Sequence, residues 1–177
     1  MQFFEETISK KTIFNGKVFD INLLDVALAN NSTAYREIVS HNGGAGILAI
    51  DEDKCCYLVR QFRKGAEREM LEIPAGKLEK GENPLDCATR ELEEEVGFVS
   101  EDIKELGYFF PTPAYCTEKI HIYLATNLKK TAQKLDDGEF LEIVKLPFDI
   151  VYEMVLKGEI VDAKTIIAVM KAKTLLK

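Results

Sequence analysis

Between Gly76 and Phe98 lies the stretch that most limits what this chain can fold into. Gly76 is followed after five residues by Glu82, and after seven more by Arg90-Glu91-Leu92-Glu93-Glu94-Glu95-Val96-Gly97-Phe98. Asn83 is a good N-cap and Pro84 suits a first helical position, so the spacing predicts a helix from there to a stop at Gly97. Leu85, Ala88, Leu92 and Val96 recur at helical intervals and predict one buried stripe. Glu91, Glu94 and Glu95 stand three and four apart, so their carboxylates are expected together on a neighbouring face. Like charges crowded in this way repel, and a divalent cation converts that repulsion into ligation. Hard carboxylate oxygens favour magnesium, with manganese as an alternative, over zinc.

The 177 residues suit one domain, or one domain with an extension, and 46% apolar residues suffice for a sizeable core. A net charge of −7 without any basic run argues against a nucleic-acid partner. No apolar span long enough for a membrane and no signal peptide are read. Cys55, Cys56, Cys87 and Cys116 lack metal-ligand spacing and are expected to be reduced thiols of a cytoplasmic protein. With only His41 and His121, a histidine metal site is not expected.

Residues 2–40 read as β structure. An Asn15-Gly16 turn within residues 12–19 predicts a hairpin. Phe19, Ile21 and Leu23 alternate with polar neighbours before Leu24, Val26 and Leu28 take over out of phase, predicting a bulge or bend in that strand. Residues 30–33 read as a turn, 35–39 as a strand and 41–44 as a glycine-rich hinge. Strands are expected at 46–50, 56–62, 103–110, 120–125 and 140–146, with loops at 66–69, 111–113 and 133–138. Two helices close the chain, at 149–156 and after the cap Asp162. The expected architecture is α+β, a sandwich with a mixed sheet, helices on its faces and an N-terminal antiparallel β appendage over residues 1–40; residues 41–177 form the main domain.

Residues 76–98 match G-x5-E-x7-R-E-U-x-E-E-x-G-U, with U bulky and apolar, and so resemble the signature of the Nudix hydrolases. That resemblance implies the Nudix α/β/α sandwich and Mg²⁺-dependent hydrolysis of a diphosphate. Glu91, Glu94 and Glu95 then become metal ligands, with Glu82 joining through water, and Arg90 orients a signature carboxylate. Other segments resemble the branch that hydrolyses ADP-ribose to AMP and ribose 5-phosphate. Glu72-Ile73-Pro74-Ala75-Gly76 is similar to its Glu-Leu/Ile-Pro-Ala-Gly entrance, which implies that the Ala75 carbonyl completes a metal shell. Residues 58–63 resemble its Val-x-Gln-Tyr-Arg strand, assigning Arg63 to the diphosphate. Pro113, fifteen residues beyond Phe98, falls near the branch's marker proline. By the same resemblance Glu118 lies near the terminal ribose and Arg36 with Glu37 contacts adenine. Phe19 reads either as an adenine-stacking residue or as an ordinary strand residue. The general base is expected in the segment Asp136-Asp137-Gly138-Glu139, with Glu139 chosen and Glu94 the fallback; a solvated acidic turn is the plain alternative. Another nucleoside diphosphate sugar, such as GDP-mannose or another ADP-sugar, is the competing substrate, and a silent ADP-ribose-binding domain the competing role. A homodimer exchanging the N-terminal sheet is implied as well.

Overall fold

Seven consecutive buried residues, Gly44–Ile50, form the strand around which the main sheet is laid out. A strand buried on both faces needs cover on both. In the computed structural model, which describes residues 3–135 and 137–176, that cover consists of helices. The elements run β1 (Glu6–Asn15), β2 (Phe19–Ala27), β3 (Thr33–His41), β4 (Gly44–Ile50), β5 (Cys55–Arg63), β6 (Arg68–Glu72), β7 (Ala75–Lys77), α1 (Pro84–Val96), β8 (Phe98–Val99) and β9 (Asp102–Phe109). They continue with β10 (Ile120–Thr126), β11 (Lys129–Lys130), β12 (Leu141–Pro147), α2 (Phe148–Leu156) and α3 (Ala163–Lys173). The described residues group into two compact units: the chain up to Gly43 with Phe110–Lys119, and Gly44–Phe109 with Ile120–Lys177.

In the larger unit the sheet order is β12-β5-β4-β10-β9, with β6 paired to β5 and β7 to β4. The β4–β10 pair is parallel, whereas the β10–β9, β5–β12 and β5–β6 pairs are antiparallel. Side chains on β4 alternate between two cores, as strand geometry requires. Ala45, Ile47 and Ala49 pack with Cys87, Ala88, Leu92 and Val96 of α1. Leu48 and Ile50 pack with Val151 of α2 and Ala168, Val169 and Ala172 of α3. The result is the α/β/α sandwich with a mixed sheet.

One edge of β4 is shared along its length. Residues 44–46 pair with β7, Ile47 N–H donates to the Pro74 carbonyl at 2.9 Å, and only Ala49 and Ile50 pair with β5. The segment 72–76 therefore enters the sheet as a wedge between β4 and β5. Residues 66–69, expected as a loop, hold the start of β6 instead. The sequence Arg68-Glu69-Met70-Leu71-Glu72 has little strand character of its own; its ladder to β5 makes it a strand.

The smaller unit is the antiparallel sheet β1-β2-β3, against which residues 115–117 lie through Val39 N–H to Tyr115 O (2.7 Å) and Thr117 N–H to Val39 O (2.9 Å). The hairpin at Asn15-Gly16 is present: Gly16 N–H donates to Phe19 O at 3.1 Å. The expected irregularity in residues 19–28 is not. β2 pairs β3 in unbroken register, and both register shifts lie between β1 and β2, at Thr7/Ser9 and Thr12/Phe14. The sequence loses its alternation because a polar residue occupies an inward place. Asn22 is 2% exposed and satisfied, accepting from Thr12 Oγ1 and donating to Ser40 Oγ, both at 2.7 Å.

Candidate active site

Helix α1 starts and stops where its residues dictate. The Asn83 side chain accepts from Leu85 N–H at 2.9 Å, and Gly97, at φ 70°, donates its N–H to Glu93 O at 2.9 Å. The inward face is rotated from the expected stripe. Leu85 is 40% exposed, whereas Cys87, Ala88, Glu91, Leu92, Glu95 and Val96 are buried. The face is centred on the row that includes Glu91 and Glu95, and Leu85 falls at its edge. Two carboxylates expected beside the buried face therefore lie within it, while Glu94 stays half-buried.

Room for this arrangement comes from a missing side chain. A Cβ on Gly76 would stand 1.7 Å from Glu91 Oε1, so the backbone of β7 touches that carboxylate directly. Ala75 N–H donates to Glu95 Oε2 at 2.9 Å. Arg90 spreads its guanidinium over three acids. Nε and Nη2 reach the two oxygens of Glu82 at 3.2 and 3.4 Å, and Nη1 donates to Glu91 Oε1 at 2.7 Å and Glu94 Oε2 at 2.9 Å. Glu82 in turn accepts from Glu79 N–H at 2.8 Å.

Electrostatics divide these acids. Burial pushes the Glu95 carboxyl up to about 8, with the charges of Glu91 and Glu139 adding to it against the Ala75 N–H. Burial also raises Glu91, with Glu94 and Glu139 adding and Arg90 opposing. Glu82 is held below the usual range, because the Glu79 N–H and Arg90 outweigh its burial. One guanidinium thus leaves the deeper acids short of positive charge.

Hard oxygen donors in that condition fit a divalent cation, and Glu91, Glu94, Glu95 and the Ala75 carbonyl are the candidate ligands. Among the described residues no three acidic, histidine or cysteine side chains converge on one point. Glu91 and Glu94 meet at Arg90 Nη1, whereas Glu95 faces the Ala75 amide.

The remaining expected residues fall in two places. Arg63, in the same unit, donates through Nε and Nη2 to both oxygens of Glu72, at 2.8 and 2.6 Å. Glu139 follows Gly138 (φ 90°) in an exposed turn, and its charge acts on Glu91 and Glu95. Asp136 lies outside the described residues. Arg36, Glu37, Phe19 and Glu118 belong to the smaller unit. There Arg36 donates to Glu5 Oε2 at 2.9 Å, Glu118 lies 3.6 Å from His41 Nδ1, and Phe19 is exposed beside Phe14 with ring centroids 5.8 Å apart. Glu37 sits in β3 opposite Leu23.

Sequence reasoning missed the support behind Glu72. Lys164 Nζ donates to Glu72 Oε2 and, at 3.0 Å, to Asp162 Oδ1; Thr165 Oγ1 accepts from Ile73 N–H at 2.8 Å. Those partners are 92 residues apart in the chain, and the only local signal was the Asp162 cap.

A mixed-sheet sandwich with a glycine loop delivering an acid-rich helix defines a phosphoanhydride hydrolase of the Nudix kind, and the NUDIX domain family model matches residues 40–168. The chain belongs to the Nudix family of hydrolases, whose members generally use a divalent metal. It is 41% identical to the ADP-ribose pyrophosphatase of Bacillus subtilis (strain 168), over 93% of this chain and 90% of that one. It is 42% identical to the methanol dehydrogenase activator of Bacillus methanolicus, over 94% and 91%. The GDP-mannose pyrophosphatase of Escherichia coli O139:H28 is 33% identical over 75% of this chain and 74% of its own. The crystal structure of an ADP compounds hydrolase shares the fold, with a TM-score of 0.84 at 22% identity over 97% of this chain and 94% of that one.

Proposed function

We propose that this chain hydrolyses the diphosphate of ADP-ribose to AMP and ribose 5-phosphate, with Mg²⁺ as its cation and Mn²⁺ as a substitute. The observation that carries phosphoanhydride chemistry is the buried Glu91–Glu95 pair, raised chiefly by burial and further by neighbouring carboxylates, and fixed against residues 75–76. The choice of ADP-ribose rests on the identity to the Bacillus subtilis enzyme along nearly the whole chain. When bound, the cation neutralises diphosphate oxygens and lowers the barrier to attack by water. Glu91, Glu94, Glu95 and the Ala75 carbonyl hold it. Arg90 fixes Glu91 and Glu94 through one nitrogen and so orients the ligands.

In this reading Arg63 binds the diphosphate, Glu139 accepts the proton of the attacking water, and Gly138 gives its turn freedom to move. Glu94 is the fallback base. Arg36 and Glu37 hold adenine with Phe19 stacked on it, and Glu118 lies at the terminal ribose. Residues 1–40 act as the exchanged sheet of a homodimer. Four free thiols suit a cytoplasmic setting. The GDP-mannose pyrophosphatase relative supports a second reading, a hydrolase of another nucleoside diphosphate sugar.

A panel of nucleoside diphosphate sugars assayed with Mg²⁺, with products identified, tests the proposal. ADP-ribose should give the highest kcat/KM and yield AMP. Preferential turnover of GDP-mannose would replace it with the second reading, and intact substrates throughout would leave only a binding role.

A further inference from the structure

Glu72 is 1% exposed and faces two cations. Arg63 grips both of its oxygens, and Lys164 donates to one of them from behind. Arg63 already matches the carboxylate in charge and takes both of its oxygens, so Lys164 is a second counter-charge on one buried acid. Asp162 also touches Lys164, but it does not use up the ammonium. Its other oxygen accepts from Thr165 N–H at 2.9 Å and Thr165 Oγ1 at 2.6 Å, at the positive end of α3. The cations differ in setting: the Arg63 side chain is 41% exposed and the Lys164 side chain 11%. Arg63 reaches solvent, whereas Lys164 is enclosed between Glu72 and Asp162.

We infer that Lys164 is a positioning residue, whose ammonium keeps Glu72 neutralised when the Arg63 guanidinium turns from Glu72 to an anionic diphosphate. This rests on the assignment of Arg63 to the diphosphate made above. Without Lys164, releasing Arg63 would leave a carboxylate alone in the core, and Arg63 would stay on Glu72. The helix α3 thereby sets substrate affinity without touching substrate. Its first turn also holds the entrance segment through the Thr165–Ile73 hydrogen bond.

The test combines two measurements. In thermal melts of the wild type, Arg63→Met, Lys164→Met and the double variant, the double should lose more than the sum of the single losses, because only there is Glu72 orphaned. In kinetics with ADP-ribose, Lys164→Met should raise KM at least about tenfold with kcat held within about twofold. Lys164→Arg should restore the KM. Adding Glu72→Gln to Lys164→Met should restore it too, because a neutral amide no longer detains Arg63, an outcome that loss of packing alone would not give. Additive melting losses, an unchanged KM in Lys164→Met, or failure of the Glu72→Gln rescue would each overturn the inference. A wild type that leaves ADP-ribose intact would instead overturn the proposed function, and the melts would still decide on Lys164.

Discussion

Removing the cation should make this protein lose stability as the pH rises from mildly acidic to mildly alkaline, with Glu95 the main cause. The residue is 4% exposed, and its carboxyl titrates at about 8 in the folded chain, against an ordinary value of 4.5. Between those values the folded protein holds a proton that the unfolded chain has released, so folding is favoured at the acid end. That advantage is complete below about 4.5 and gone above about 8. Each pH step across the window is worth about 1.4 kcal/mol, giving a fall on the order of 3–5 kcal/mol for this group alone. Glu91 is raised as well and adds in the same direction. Glu72 and Glu82 are lowered, so their contribution is present above the ordinary carboxylate range and is lost only on further acidification, outside this window. The assay is urea denaturation in the presence of a chelator at several values between about pH 5 and pH 8. The slope should flatten in Glu95→Gln, which keeps an acceptor for the Ala75 N–H but no ionisable group, and Mg²⁺ should oppose the fall in the wild type. Stability that stayed level or rose with pH, or an equal slope in Glu95→Gln, would refute the reasoning.

Three further outcomes are expected. Gly76→Ala places a methyl where Glu91 Oε1 now lies, so it should cost about 1–3 kcal/mol of stability and reduce kcat some 10–100-fold; denaturation and steady-state kinetics check both. Glu139→Gln should lower kcat by about 10²-fold or more with KM little changed, whereas an unaltered kcat in Glu139→Gln together with a collapsed one in Glu94→Gln would move the base to Glu94. Light scattering should give twice the 20.0 kDa of one chain, and a monomer mass would refute the homodimer.

Elements whose signals are local were legible. Asn83, Pro84 and Gly97 bounded α1, Asp162 capped α3 through Thr165 N–H, and Asn15-Gly16 turned the first hairpin. Elements defined by a distant neighbour were not. β6 exists through its ladder to β5, and β7 through three residues of β4. The phase change in β2 was visible, but its cause, a buried Asn22 satisfied from both sides, depends on Thr12 and Ser40. In the site, spacing set the three glutamates on one helix, where Glu91 and Glu94 meet at Arg90 Nη1 and Glu95 turns to the Ala75 amide. Spacing misplaced them relative to the core, because burial of Glu91 and Glu95 is allowed only by a glycine fifteen residues earlier than Glu91 and the amide before it. Lys164 gave no signal, since a lysine in the first turn of a helix reads as solvated until Glu72 is seen beneath it.

The two register shifts in β1 have a consequence for how copies of this chain meet. Among the described residues β1 pairs only with β2, so its other margin carries unclaimed amides and carbonyls, the usual template for runaway strand addition. Extra residues at two points spoil the even spacing that a docking strand would need, and Lys10 and Lys11 put like charges at the middle of that margin. Growth into fibrils by this route is thereby discouraged.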